Sequence, residues 1–168
     1  EYLCRYFLIT VFYYNPNISF SEEYRKRVAE QKRLIAAYNK EEKGWPIDIV
    51  EGDYEPERFY EMAKGYENCP EGGERCFRCF DLRLRRTAEL AAGGGYDYFA
   101  TTLTISTLKN AAKINEIGQI LSGEYGIPWL PSDFKKKNGY KRSIELSAEY
   151  ELYRQNYCGC AFSKAERE

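Results

Sequence analysis

Two cysteines in C-x-x-C spacing, Cys76 and Cys79, are the residues of this sequence best suited to chemistry. They follow a loop signal, Pro70 with paired glycines, and precede a strongly helical run. Thiolates at this spacing can converge on one metal centre or close a redox disulfide. Positive charge around them favours the thiolate, the form that attacks and ligates, and attracts phosphates. That charge comes from Arg75, Arg78, Arg83, Arg85 and Arg86.

A second cysteine pair, Cys158 and Cys160, is separated by one glycine. Such a pair can close a small disulfide ring, and the glycine relieves the tight backbone. A short ring is expected to be strained and easily reduced. The alternative is two ordinary cysteines near a C-terminus. Cys4 and Cys69 stand alone, and packing is the simplest role for them.

Two kinds of metal centre, a zinc site and an iron–sulfur cluster, are possible for these cysteines. Histidine is absent, so a structural zinc site would have to combine the C-x-x-C with the C-x-C pair. An iron–sulfur cluster also requires four thiolates. The composition favours metal or redox thiols over a disulfide framework, because nothing in the sequence indicates secretion.

The composition predicts one soluble α/β domain over residues 1–168, with 43% hydrophobic and 30% charged residues. No run approaches the length of a membrane span and no signal-peptide pattern is present, so we expect a cytoplasmic protein with no membrane partner. The net charge of −1 conceals a second basic cluster. Aromatic residues lie between its members, a pattern typical of nucleic-acid contact. The cluster contains Lys135, Lys136, Lys137, Lys141 and Arg142.

Strands alternating with helices predict a largely parallel sheet. The strands are expected at 8–14, 46–50, 96–102 and 127–130. Helices are expected from Ser21, over 56–64 and 77–92, and from about Ser143. A further helix follows the turn 104–110, with its apolar face on Ile114, Ile117, Leu121 and Tyr125 and its end near Gly126. Ligands of such sheets bind at the carboxyl ends of strands. The loops 104–110 and 132–135, which follow the last two strands, are therefore expected to form walls of the site.

Five phrases, taken together and in order, resemble one protein family. They are Phe-Tyr-Tyr-Asn-Pro-Asn-Ile (12–18), Pro-Glu-Gly-Gly-Glu-Arg-Cys-Phe-Arg-Cys-Phe (70–80), Thr-Thr-Leu-Thr-Ile-Ser (101–106), Ser-Asp-Phe-Lys-Lys (132–136) and Tyr-Arg-Gln-Asn-Tyr-Cys-Gly-Cys (153–160). The sequence resembles the QueH-type epoxyqueuosine reductases across nearly its whole length. The resemblance implies a Rossmann-like, adenine-nucleotide-hydrolase-like three-layer fold. It also implies reduction of epoxyqueuosine to queuosine at the wobble position of tRNA.

The same resemblance implies a 4Fe-4S cluster with Cys76 and Cys79 as two ligands, and it leaves open an additional iron. The family's other two ligands are adjacent cysteines after a first strand. That Cys-Cys pair is not in this sequence, and we expect it, with its strand, to precede Glu1. Thr107 is a second departure, because the family usually has proline there.

The family position of Cys158 and Cys160 is that of a dithiol/disulfide relay. Asp81 and Asp133 are candidates to deliver a proton to the departing oxygen, and an unidentified donor must supply electrons. The expected tRNA contacts are Arg75, Arg78, Lys109, Lys135, Lys136, Lys137 and Arg142. Two alternatives are a non-catalytic, zinc-stabilised RNA-binding domain and an ATP-dependent tRNA-thiolating enzyme of related fold.

Overall fold

A computed structural model describes residues 1–166, and the chain divides into two compact units. One unit contains residues 1–54 and the chain from Leu146 onward, and the other contains residues 55–145. The prediction of a single domain stays a prediction. None of the helices described is both long and apolar enough to cross a bilayer. The elements, in chain order, are β1 (Ile9–Tyr13), α1 (Ser21–Lys40), β2 (Ile47–Glu51), α2 (Pro56–Ala63), α3 (Glu74–Gly93), α4 (Ala111–Tyr125), α5 (Gly139–Glu149) and α6 (Ala161–Ala165).

The first unit is built on a parallel pair of strands, β1 and β2, connected through α1. Their register runs from Ile9 opposite Ile47 to Tyr13 opposite Glu51. This β-α-β order confirms the predicted α/β class and parallel pairing. The three-layer Rossmann-like arrangement stays a prediction. The core of this unit includes two small clusters of buried side chains, Tyr13, Ile18, Tyr24 and Val28 in one and Cys4, Tyr38 and Tyr150 in the other.

An ion pair on α1 holds the chain that follows α5. The guanidinium of Arg33 donates to the carbonyl of Tyr150 over 2.8 Å. Glu30 Oε1 accepts the backbone N–H of Tyr153 over 2.7 Å. The hydrogen bonds from Arg33 are the main reason that the pKa of Glu30 falls to about 2. The carboxylate therefore stays charged and keeps its backbone partner across the physiological pH range.

The second unit packs α3 against α4 around one apolar core. The periodic residues Phe80, Leu84, Ala88 and Ala91 of α3 are all buried, as their helical spacing indicates. Phe99 and Trp129 add a T-shaped ring pair with centroids 4.9 Å apart. The described core therefore follows the predicted apolar faces closely.

The predicted third and fourth strands are reduced to one parallel bridge between Phe99 and Trp129. Phe99 donates to the carbonyl of Pro128 over 3.0 Å, and Leu130 donates to the carbonyl of Phe99 over 2.9 Å. On the segment that contains Trp129, the next donor of a continued ladder would be the N–H of Ser132. That group instead donates to Asn115 Oδ1 over 3.0 Å, while Asn115 Nδ2 donates to the Ser132 carbonyl over 2.8 Å. The side-chain amide of Asn115 thus binds both backbone groups of Ser132 that a neighbouring strand would bind, and the strand pairing ends there.

Two helices begin earlier than predicted. Helix α3 begins at Glu74 rather than near Phe77, because Gly73 acts as its N-cap and accepts the N–H of Cys76 through its carbonyl over 2.9 Å. Helix α5 begins at Gly139 rather than near Ser143, directly after a turn in which Lys137 and Asn138 have positive φ. The first shift places both C-x-x-C cysteines inside a helix.

Candidate functional site

The C-x-x-C cysteines lie in the first two turns of α3. Residues three apart share one face of a helix, so Cys76 and Cys79 are on the same side of α3. Both are buried, and the backbone N–H of Gly72 donates to Cys76 Sγ over 3.2 Å. A sulfur that accepts a backbone N–H is well suited to carry negative charge. The pair can therefore act as neighbouring thiolate ligands.

Arg75 is turned into the protein and organises the loop before the cysteines. It is 2% exposed, and its Nη1 donates to the carbonyls of Tyr66 (3.2 Å), Glu67 (2.8 Å) and Cys69. Arg75 thus provides a hydrogen-bond donor for three backbone carbonyls of the turn after α2. These bonds fix the path of the chain toward α3. In this conformation Arg75 has almost no surface for a phosphate.

Two other arginines near the cysteines, Arg78 and Arg85, have carboxylate partners. Arg78 pairs with Glu74 over 3.2 Å and also lies over the ring of Tyr66. Arg85 pairs with Asp81 over 3.3 Å and with Glu124. These pairs are partly exposed, so each contributes little to stability. They do, however, offset much of the positive charge that the sequence alone indicates around the C-x-x-C pair.

Two loops of the second unit meet beside residues 70–73, the loop that precedes the C-x-x-C pair. Lys109 Nζ contacts Glu71 over 3.2 Å, and both side chains are largely buried. The hydroxyls of Thr104 and Ser132 lie 2.9 Å apart, and Thr104 is fully buried. The backbone N–H of Lys135 donates to the Thr104 carbonyl over 3.3 Å. The loops 101–110 and 132–136 are thus brought together with residues 70–73, and their role as walls of one site stays a prediction.

Asp133 is held as a carboxylate between two lysines. Lys135 Nζ lies 3.0 Å from its Oδ1 and Lys136 Nζ lies 3.3 Å from its Oδ2. The hydrogen bond from Lys135, followed by that from Lys136, holds the pKa of Asp133 below its usual range. Near neutral pH this side chain is therefore an acceptor and an anchor for the lysine loop, and proton donation is disfavoured.

The remaining predicted RNA contacts differ in how accessible they are. The side chain of Lys136 is 76% exposed, whereas that of Lys109 is 12% exposed. Lys137 lies on the exposed turn before α5, and Arg142 pairs loosely with Glu145 over 3.5 Å. The lysine turn and the first turns of α5 form an accessible basic surface of this unit.

The C-x-C pair lies in the first unit, just before α6. The two sulfur atoms are 3.4 Å apart, and Cys160 is buried whereas Cys158 is partly exposed. Cys160 Sγ accepts the backbone N–H of Ser163 over 3.3 Å. In a disulfide the two sulfur atoms are about 2.0 Å apart. The two thiols would therefore have to move only slightly closer to form one. The prediction that this pair lies close to Cys76 stays a prediction.

The tail that carries this pair docks on the segment 15–19 and on α1. Ser19 uses its N–H to bind the Gly159 carbonyl over 3.0 Å and its hydroxyl to accept the Ala161 N–H over 2.9 Å. Arg27 donates to the carbonyl of Cys158 over 3.1 Å and to that of Tyr157 over 3.3 Å. The first and last of the five sequence phrases thus meet in one arrangement.

Arg27 is itself fixed by a largely buried ion pair. Its Nε donates to Glu23 over 2.7 Å, and the side chains are only 10% and 15% exposed. The Tyr153 hydroxyl donates to the same carboxylate over 3.1 Å. A cleft of about 370 Å³ opens beside this network. It is lined by Phe20, Glu22, Glu23, Lys26, Tyr157 and Lys164.

Sequence reasoning missed several of the positioning residues. Asn115, Arg27, Ser19 and Ser163 each bind backbone groups of a predicted site segment, although none stands in a motif that indicates chemistry. Ser19 follows directly on the phrase 12–18, which is the one signal that could have drawn attention to it. Asn115 and Arg27 act through contacts distant in sequence, and Ser163 acts through a local contact with the C-x-C pair.

No group of three or more histidine, cysteine, aspartate or glutamate side chains that could hold a metal ion is found within residues 1–166. The C-x-x-C pair accounts for two thiolates only. The chemistry of its donors suits iron or zinc, and as a ligand set for a four-thiolate centre it is half complete.

The chain matches known proteins of one kind. The family model described as "Epoxyqueuosine reductase QueH" matches residues 1–166. Curated relatives named epoxyqueuosine reductase QueH include one from Streptococcus pyogenes, 44% identical over 97% of this chain and 64% of the relative. Another from Staphylococcus epidermidis is 43% identical over 97% of this chain and 69% of the relative.

A more distant relative of the same name from Thermotoga maritima is 38% identical, over 93% of this chain and 79% of the relative. The chain thus spans roughly two thirds of the length of the first two relatives, 64% and 69%. The match covers both cysteine pairs and all five phrases. This chain belongs to the epoxyqueuosine reductase QueH family.

Proposed function

We propose that this chain reduces the epoxide of epoxyqueuosine to give queuosine at the wobble position of tRNA. One observation carries the proposal: the family match extends over residues 1–166 and so includes both cysteine pairs. Removal of an epoxide oxygen as water consumes two electrons and two protons. A dithiol that closes to a disulfide releases two electrons and two protons, so the stoichiometry of the C-x-C pair matches the reaction.

Cys76 and Cys79 are the proposed ligands of an iron–sulfur cluster. Such a cluster, when bound, would supply one-electron steps and an iron site near the reacting oxygen. The chain's own contribution is to present two buried sulfur atoms from one helical face, with the Gly72 N–H on one of them. Arg75 holds the preceding loop in place through its carbonyl contacts.

The two carboxylates of the predicted site, Asp81 and Asp133, hold neighbouring cations in place. Asp133 keeps Lys135 and Lys136 together, and the lowered pKa of Asp133 makes it a charged acceptor near neutral pH. Asp81 is paired with Arg85 over 3.3 Å. Both side chains therefore arrange cations in the second unit. We assign delivery of the proton to water or to the thiols of the C-x-C pair.

The basic surface of the lysine turn and α5 is proposed to bind tRNA phosphates. Lys136, Lys137 and Arg142 are accessible, and Arg78 is partly so. Lys109 and Lys135 would have to exchange a carboxylate partner for a phosphate, and so we expect them to contribute less. Phosphate contacts position a nucleic acid without reading its sequence.

Metal content and product analysis together test the reductase proposal. The chain is prepared without oxygen, and its iron, sulfide and zinc are measured. It is then given electrons and tRNA that contains epoxyqueuosine, and the nucleosides are analysed by mass spectrometry. We expect Cys76→Ser and Cys79→Ser to lose iron and activity, and Cys158→Ser and Cys160→Ser to lose activity while they keep iron. A colourless protein with stoichiometric zinc and no product would support the non-catalytic RNA-binding domain instead.

The tRNA surface is tested by the salt dependence of binding. Changing Lys135, Lys136 and Lys137 to alanine should weaken binding and lower the slope of log K against log salt by about 0.9 per lost phosphate contact. The control changes three other surface lysines, Lys40, Lys43 and Lys64, and removes the same charge. Equal slopes in the two triple variants would show that net charge, and not the lysine turn, governs binding.

A further inference from the structure

The two thiols of the C-x-C pair have different surroundings. Cys160 is 4% exposed and accepts the N–H of Ser163 at its sulfur, while Cys158 is partly exposed. The hydroxyl of Ser163 accepts the backbone N–H of Cys158 over 3.4 Å. Ser163 itself is 1% exposed. One thiol therefore belongs to a partly exposed residue, and the other belongs to a buried residue and accepts a backbone donor.

The backbone around the pair is held by contacts that do not involve either cysteine side chain. Ser19 binds the carbonyl of Gly159, and Arg27 binds those of Tyr157 and Cys158. Gly159 has a φ of 114°, and a Cβ there would lie 2.8 Å from Ile18 Cγ1. The loop cannot turn over and exchange the two thiols without breaking these contacts.

We propose that Cys158 is the entry point for electrons, and that the donor is a dithiol that reacts by thiol–disulfide exchange. This inference rests on the proposed reductase function, because it names the chemical class of the reductant that recharges the C-x-C pair. In the oxidised chain a donor thiolate attacks Cys158 Sγ and forms a new S–S bond. The bond between the two sulfurs breaks, and its electron pair leaves on Cys160.

The second thiol of the donor then attacks the mixed disulfide and releases Cys158. The donor departs as a disulfide, and the two protons that it gave up return to the two cysteines, so electrons and protons balance. The structure favours this order at the leaving step. Exchange is faster when the departing thiolate is stabilised, and the Ser163 N–H already points at Cys160 Sγ. Attack at Cys160 would require a reagent to reach a sulfur that is almost fully covered.

The order of reaction can be measured without tRNA or iron. Reduced Cys160→Ser and Cys158→Ser chains are exposed to glutathione disulfide, and the mixed disulfides are located by peptide mass mapping. We expect Cys158 in the first variant to react at least about tenfold faster than Cys160 in the second, because a buried thiol must wait for local opening. The partly exposed Cys69 falls in a different peptide and reports the general reactivity of a thiol in each variant.

Pulse labelling of the reduced wild-type chain with iodoacetamide checks the order if either variant folds poorly. Cys158 should be alkylated first. Equal or faster reaction at Cys160 in this measurement would overturn the proposal. The reductase proposal fails separately, by absence of queuosine in the tRNA assay, whatever the order of the thiols.

Discussion

Replacing Gly159 with alanine should release the tail that carries the C-x-C pair. The change has two costs. Residue 159 has a φ of 114°, where a side chain is strained by about 1–3 kcal/mol. The new Cβ would also lie 2.8 Å from Ile18 Cγ1, and Ile18 is 2% exposed and cannot move aside easily. Overpacking of this kind costs about 1–3 kcal/mol.

The two terms together oppose docking by about 2–6 kcal/mol. The contacts that hold the tail on Ser19 are two hydrogen bonds, each with a net worth of about 0.5–1.5 kcal/mol. The cost is thus comparable with these two hydrogen bonds or larger. Arg27 holds residues 157 and 158 through two further hydrogen bonds. We therefore expect residues 159–161 to be released from Ser19, while the cores of both units remain folded.

Amide hydrogen exchange reads out this release directly. The N–H of Ser19 donates to Gly159 and the N–H of Ala161 donates to Ser19, so both are protected only while the tail is docked. A loss of 2 kcal/mol should accelerate their exchange about 30-fold. Iodoacetamide should also reach Cys160 faster than in the wild type.

Gly65→Ala is the matched control. Gly65 also has a positive φ, 79°, but nothing lies within 4 Å of a Cβ placed there. That variant carries the backbone strain without the collision, and it should leave the exchange of Ser19 and Ala161 unchanged. If Gly159→Ala protects these two amides as well as Gly65→Ala does, the reasoning from close packing at residue 159 is refuted.

Three further variants test the contacts that position the site. Glu30→Gln should lower the free energy of unfolding at pH 7 by about 1 kcal/mol after allowance for solvent screening. Arg33 lowers the pKa of Glu30 in the folded state from 4.5 to about 2. The contribution of the Glu30 carboxylate to the free energy of unfolding is therefore present above pH 4.5 and is lost as the pH falls toward 2. The urea unfolding curves of wild type and variant should converge there. Thr104→Val should cost about 1–3 kcal/mol in the same measurement, because it leaves the hydroxyl of Ser132 without its 2.9 Å partner. Arg75→Lys should lower the iron content of anaerobically prepared protein, since an ammonium cannot reproduce the planar guanidinium that binds three carbonyls; full retention of iron would contradict that role.

The sequence alone was sufficient to predict the main helices and to identify the family. Apolar residues at helical spacing predicted α3 and α4, and Pro56 and Gly126 stand where helices begin and end. These are short-range effects of side-chain period and backbone freedom, and they act within one turn of the chain. The motif phrases likewise carried the family assignment, because each is contiguous in sequence.

The extent of the sheet was decided by tertiary structure. The segments 96–102 and 127–130 have strand-like composition, yet only Phe99 and Trp129 pair. Asn115, on a helix between them in sequence, takes both backbone groups of Ser132. No local pattern reveals that Asn115 replaces a strand partner at Ser132. Strand pairing depends on which groups, distant in sequence, lie against each backbone N–H and C=O in the folded chain.

The environment of the candidate site residues also depended on the fold. Arg75 and Arg78 are alike in sequence, but Arg75 is buried against three carbonyls whereas Arg78 is partly exposed. The thiols of Cys158 and Cys160 are equivalent as a motif, yet in the folded chain Cys160 is buried whereas Cys158 is partly exposed. The sequence determines which groups are present and how they are spaced. Their burial and partners are set by contacts between distant segments, and those contacts decide whether a charge or thiol meets solvent.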